Sequence, residues 1–173
     1  EEVDMEVMEL YRQCRDENVS REEFLIRASK IKGCYVPSLY DVTYNEDGTV
    51  KAVTPTHGAP KKIEKRLMMN MDESYYPDNF VVPNTEIVHD RAMQEIFRGC
   101  IRGCRFCQAG FLYRPVREKS PETINKQCHD LCNNTGYDEV SLSSLSSSDY
   151  TLLVPLLTEL NIWSVDDQVS ISL

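Results

Sequence analysis

The sequence predicts an α/β protein whose second half runs β-α-β-α-β, a parallel arrangement of the kind seen in a TIM-like barrel or a doubly wound sheet, preceded by a helical and β-hairpin extension. Three observations carry this. Apolar residues mark strands near Met93–Phe97, at Val140 and Leu142, and at Val169, Ile171 and Leu173. One helical signal fills each interval, and strands separated by single helices pair in parallel with right-handed crossovers. The first half has a different rhythm, which divides the chain into a helical and hairpin linker region, 1–90, and a barrel-like part, 91–173.

In the extension, Val3, Val7, Leu10, Tyr11 and Cys14 follow helical spacing. Ser20 with Glu23 forms a capping box ahead of Phe24, Leu25, Ala28 and Ile31, and Gly33 is the stop. Tyr40, Val42 and Tyr44 alternate up to Asn45-Glu46-Asp47-Gly48, and Val50 and Ala52 alternate after it, which predicts a β-hairpin. Between Pro55 and Pro83 the signals are mixed, and Lys61, Lys62, Lys65 and Arg66 suit either a short helix or an extended arm.

The second half opens with its first strand and a Gly-rich loop at 98–110. Ser120 as N-cap, Pro121 at the first helical position and Glu122 in the first turn announce a helix that ends at Asn133-Asn134-Thr135-Gly136. The second strand follows, then a helix over Leu152–Leu160, then the third strand. Pro155 has to lie in the first turn of that helix or kink it. The serine run Ser141–Ser148 reads as a strand followed by a small-residue loop rather than a flexible linker, because Val140, Leu142 and Leu145 interrupt it. Parallel α/β folds place ligand contacts at such loops.

Of 173 residues, 41% are hydrophobic and 27% charged, which bounds the chain to a globular class with a core of ordinary size. A net charge of −9 disfavours a surface that coats nucleic acid or anionic lipid. No apolar stretch is long enough to span a bilayer, and the acidic start lacks the positive region of a signal peptide, so a cytoplasmic protein with no membrane contact is expected. The missing initiator Met and the ending inside an apolar alternation predict a fragment.

Seven cysteines are an odd number for a disulfide framework, and Cys100, Cys104 and Cys107 are clustered, which suits a metal site in a reducing compartment. Their spacing is also that of one stripe of a helix. Gly99, Gly103 and Gly110 argue for a loop instead, since each costs a helix interior roughly 1 kcal/mol relative to Ala. Structural zinc normally takes four protein ligands, for which Cys128, His129 or Cys132 would have to complete the set. A non-enzymatic zinc-binding module is therefore the alternative reading. A four-iron cluster held by three thiolates leaves one iron open, and an open position is what chemistry requires.

The stretch Cys100-Ile-Arg-Gly-Cys104-Arg-Phe106-Cys107 resembles the signature of the radical S-adenosylmethionine (SAM) superfamily. Residues Glu95–Glu122, the hairpin Tyr35–Tyr44 and the run Ser141–Tyr150 resemble more narrowly its cobalamin-domain-containing members. The resemblance implies a partial radical SAM barrel in which Cys100, Cys104 and Cys107 bind a 4Fe-4S cluster whose open iron takes the amino and carboxylate groups of SAM. Reductive cleavage would then give methionine and a 5′-deoxyadenosyl radical, with the electron from a donor of flavodoxin or ferredoxin type. It also implies SAM contacts at Phe106 and at the loop carrying Ser144, Ser146 and Ser147. It admits cobalamin as a further cofactor through a domain missing from this chain. His57 belongs to no Asp-x-His-x-x-Gly pattern, so none of these residues is assigned to cobalamin, and His89-Asp90 is read as structural.

Arg98, Arg102, Arg105, Arg114, Arg117 and Lys119 form a basic island with only Glu118 among them. A solvated face is one reading. Charge compensation for an anionic cluster is another, favoured over contact with a phosphate-bearing substrate such as RNA because the chain is acidic overall.

Overall fold

The computed structural model describes residues 1–85 and 87–173, which divide into two compact units, Glu1–Met68 and Met69–Leu173. In the first, helices α1 (Asp4–Asp16) and α2 (Arg21–Ala28) form where the apolar spacing predicts them. The Ser20 hydroxyl accepts the Glu23 N–H at 3.2 Å, satisfying one of the donors a helix start leaves open. Strands β1 (Tyr40–Tyr44) and β2 (Val50–Pro55) pair antiparallel, with Val42 opposite Val53. Gly48 at the turn has φ +81, a backbone conformation that favours glycine. The small core of this unit gathers Val36, Leu39 and Ala59, with Leu25, Ile26 and Tyr40 packed against it. The basic stretch from 61 to 66 is neither helix nor strand, and Arg66 pairs with Glu6.

The second unit carries β3 (Ala92–Glu95), β4 (Phe97–Arg98), the one-turn helix α3 (Ala109–Leu112), β5 (Arg117–Glu118), α4 (Pro121–Thr135), β6 (Glu139–Ser143), α5 (Leu153–Ser164) and β7 (Ser170–Ser172). The three-stranded sheet has the order β3-β6-β7, and both pairings are parallel, with Gln94 beside Leu142 and Val140 beside Ile171. This is the expected β-α-β-α-β run. Val140 and Leu142 point into a core with Ala92, Ile96, Ile124, Cys128, Leu131, Leu156 and Leu160, while Ser141 and Ser143 alternate onto the other face. Helix α4 packs on β3 and β6 and alongside α5.

Local signals explain the boundaries. Ser120 caps α4 by accepting the Thr123 N–H at 3.2 Å, and Gly136 ends it in the left-handed region, returning its N–H to the Cys132 carbonyl at 2.8 Å. Pro155 is the third residue of α5, where the lost N–H would have had no partner within the helix. The single strand expected near Met93–Phe97 is two strands. Its first part lies in the parallel sheet, and Ile96 extends that pairing with its N–H on the Ser143 carbonyl at 3.0 Å. Phe97 and Arg98 then turn away to pair antiparallel with Glu118 and Arg117.

The second unit takes in residues before the expected boundary at 90. Asp72 Oδ1 accepts the Ser120 N–H at 2.8 Å, Asn134 Nδ2 donates to the Asp78 carbonyl at 2.6 Å, and Tyr76 and Phe80 pack against the core. Those contacts bind the segment from 72 to 80 to α4 and its start. Among the described residues, no helix is long and apolar enough to cross a membrane.

Candidate functional site

The three clustered cysteines follow β4, in the connection between β4 and β5. Residues 99–107 belong to no helix or strand, so the helical-stripe reading of Cys100, Cys104 and Cys107 does not apply. The turn is tight at its start: Gly99 has φ +101, and a Cβ there would meet the Pro115 oxygen at 2.8 Å, the Tyr113 oxygen at 2.9 Å and Val116 Cα at 2.9 Å. Only a residue without a side chain lets the returning backbone pass so close. Gly103 also sits at positive φ, +62, with a turn behind it in which the Cys107 N–H reaches the Cys104 carbonyl at 3.1 Å. Gly110 is different. It is buried inside α3, so its place in the glycine argument for a loop does not hold.

The basic island builds this hairpin. Arg117, only 5% exposed, donates from Nε to the Pro115 carbonyl at 2.9 Å and from Nη2 to Tyr113 O at 3.3 Å. Arg114 Nε donates to the Gly110 carbonyl at 2.9 Å, and its guanidinium lies over the Phe111 ring. Arg98 Nε reaches both oxygens of Glu95 at 2.9 and 3.0 Å. Lys119 is fully buried, with Nζ on Gln127 Oε1 at 3.0 Å and 5.0 Å from the Tyr76 ring centroid, and desolvation pulls its pKa below the ordinary lysine value. These four cations thus serve internal contacts rather than a solvated face, and Arg102 adds a fifth.

The loop after β6 is held by its own serines. Ser147 Oγ donates to the Leu142 carbonyl at 3.1 Å and lies 3.0 Å from Ser144 Oγ, which accepts the Ser146 N–H at 3.1 Å. Ser146 Oγ donates to Asp149 Oδ2 at 2.7 Å. Three consecutive residues then bind this loop to the cysteine hairpin. Asp149 takes Arg102 Nε at 2.6 Å on one oxygen and Arg102 Nη2 on the other. Tyr150 donates its hydroxyl to the Lys119 carbonyl at 2.8 Å and stacks on Phe97 at 6.5 Å between ring centroids. Thr151 donates N–H and Oγ1 to Glu118 Oε1 at 3.0 and 2.9 Å. The Arg102 guanidinium, and then the Ser146 hydroxyl, hold the Asp149 carboxyl below its ordinary pKa.

The structure therefore brings the expected cysteine loop and the expected serine loop together, at the carboxyl ends of the neighbouring parallel strands β3 and β6. Phe106 stands at the tip of the cysteine loop, 93% exposed. Sequence reasoning missed Asp149, Tyr150 and Thr151 as the residues that join the two loops, since side-chain pairing across 47 residues has no local signature. His57, in the first unit, and His89 are both exposed.

All seven cysteines are free thiols; Cys104 is exposed and Cys100 and Cys107 are partly so. Among the described residues no three His, Cys, Asp or Glu side chains converge closely enough to hold a metal ion. Three thiols from one short loop are the donor set that a cluster bound by three thiolates requires, and none of the three side chains is buried in the core. Cys128 and Cys132 have the opposite character. Both are buried in α4, and desolvation pushes their thiols up to about 12 and about 11, where the thiolate that binds metal is scarce at neutral pH. No protein-family model matches the chain, and neither the curated proteins nor the solved structures contain a match.

Proposed function

We propose that this protein is a radical SAM enzyme in which Cys100, Cys104 and Cys107 hold a 4Fe-4S cluster and the loop Ser144–Ser147, with Phe106, receives SAM. The observation that carries the reading is the junction just described, which sets a three-thiol loop and a serine loop side by side at the carboxyl ends of two parallel strands. That end of a parallel sheet is where α/β enzymes assemble ligand sites. The sequential order β3-β6-β7, with α4 against α5 on one face, supports a sector of a TIM-like barrel over a doubly wound sheet.

When bound, such a cluster supplies an electron, received from a donor of flavodoxin or ferredoxin type, to SAM at its open iron. The chain's own residues bind and orient. Gly99 and Gly103 give the loop the curvature by which three thiols from one short segment can face a common point. Arg102 ties the cysteine loop to Asp149, and Ser144 and Ser147 hold the adjoining loop in a fixed turn. The zinc module is less supported, because two of its three candidate further ligands, Cys128 and Cys132, belong to the hydrophobic core, and the third, His129, lies against Trp163 and Asn133.

Anaerobic reconstitution with iron and sulfide tests the proposal. A brown protein with about four irons per chain, lost on replacing any of Cys100, Cys104 or Cys107, is expected. Tight zinc binding that depends on Cys128 or Cys132, without iron-dependent absorbance, would reject it.

A further inference from the structure

Arg102 stands between the first two cysteines, two residues from each, and both its Nε and its Nη2 engage the two oxygens of Asp149. This is the fork-to-fork geometry that fixes direction as well as distance, and lysine cannot reproduce it. The partners differ in freedom: the Asp149 side chain is 12% exposed and Arg102 57%. Asp149 is also anchored by the Ser146 hydroxyl, so the carboxylate is a fixed post to which the cysteine loop is tied. The other two cross-links, through Tyr150 and Thr151, reach Lys119 and Glu118 at the base of the hairpin, whereas Arg102 lies within the cysteine loop itself. With its arginine this exposed, the ion pair adds little to stability. Its consequence is geometric.

We infer that Arg102 and Asp149 are positioning residues that set the cysteine loop against the serine loop, so that SAM binding depends on the pair while iron loading does not. The inference rests on the proposed radical SAM reading. Ser146 shares the Asp149 carboxylate with Arg102, so a shift of the cysteine loop is felt directly at a residue of the serine loop.

The test uses Asp149→Asn, Arg102→Lys and the charge swap Arg102→Asp with Asp149→Arg. Iron content is measured after anaerobic reconstitution. The half-saturating SAM concentration is read from the change that SAM causes in the electron paramagnetic resonance spectrum of the reduced protein. Amide hydrogen exchange over residues 99–107 is followed in the metal-free protein. Both single variants should load as much iron as wild type, raise the half-saturating concentration about tenfold and exchange faster in the loop. The swap should return both readings to within about threefold of wild type. Unchanged half-saturation and exchange, iron lost along with the SAM response, or a swap no better than the single variants would each overturn the inference. Should wild type take up no iron, the radical SAM reading fails by itself. Loop exchange then decides the positioning claim alone, with faster exchange in the single variants and recovery in the swap supporting it, and unchanged exchange overturning it.

Discussion

Gly99 and Lys119 are the residues on which the cysteine hairpin depends most. At Gly99 positive φ and three backbone atoms within 2.9 Å act together, so Gly99→Ala should lower stability by about 2–3 kcal/mol. Gly48→Ala, with positive φ but no atom within 4 Å of its added Cβ, should cost about 1 kcal/mol, and denaturant titration of both variants checks the difference. At Lys119 burial opposes the charge. Its folded-state pKa lies below the unfolded value of about 10.4, so between the two the unfolded chain binds more protons and stability rises with pH. In Lys119→Met that rise should be absent, which a comparison of denaturation midpoints from pH 7 to 10 measures. Thiol labelling separates the two groups of cysteines: iodoacetamide should modify Cys100, Cys104 and Cys107 in the folded, metal-free protein and leave Cys128, which is fully buried, untouched.

At the scale of elements, the cysteine hairpin and the serine loop depend on how α4 and the strands around it begin and end. Ser120 is at once the N-cap of α4, receiving the Thr123 N–H, and a donor to Asp72 through its own N–H. Ser120→Ala should therefore cost about 1 kcal/mol from the cap alone, measured by chemical denaturation. Much of this level was legible in the residues. The capping pattern at Ser120 and Pro121, the Gly136 stop and the alternation at Val140 and Leu142 each act within a few positions, and each produced the element it announced. The strand at Met93–Phe97 was legible only as a single run. Its division depends on which partner each residue finds, β6 for Ala92–Glu95 and β5 for Phe97 and Arg98, and pairing partners are not a property of the run itself. Gly110 misled in the same way, because it lies in a single helical turn rather than in the loop before it.

Across the whole molecule, the acidic chain concentrates positive charge on one hairpin and spends most of it inward, on carbonyls and carboxylates of that same unit. That use of charge was not readable from composition, since a run of arginines looks alike whether it faces solvent or its own backbone. The thiol triplet was readable, because its spacing and flanking glycines are local, while its alignment with Ser144–Ser147 came from the parallel pairing of β3 with β6. The central claim is that these two loops form one site for a cluster and SAM. It is tested most directly by reconstituting the protein anaerobically, counting iron, and recording the electron paramagnetic resonance spectrum of the reduced sample before and after adding SAM. About four irons per chain are expected in wild type and in Cys128→Ala, none in Cys104→Ala, and a spectrum that shifts on adding SAM. Iron uptake that survives Cys104→Ala, or a wild-type spectrum indifferent to SAM, would contradict it.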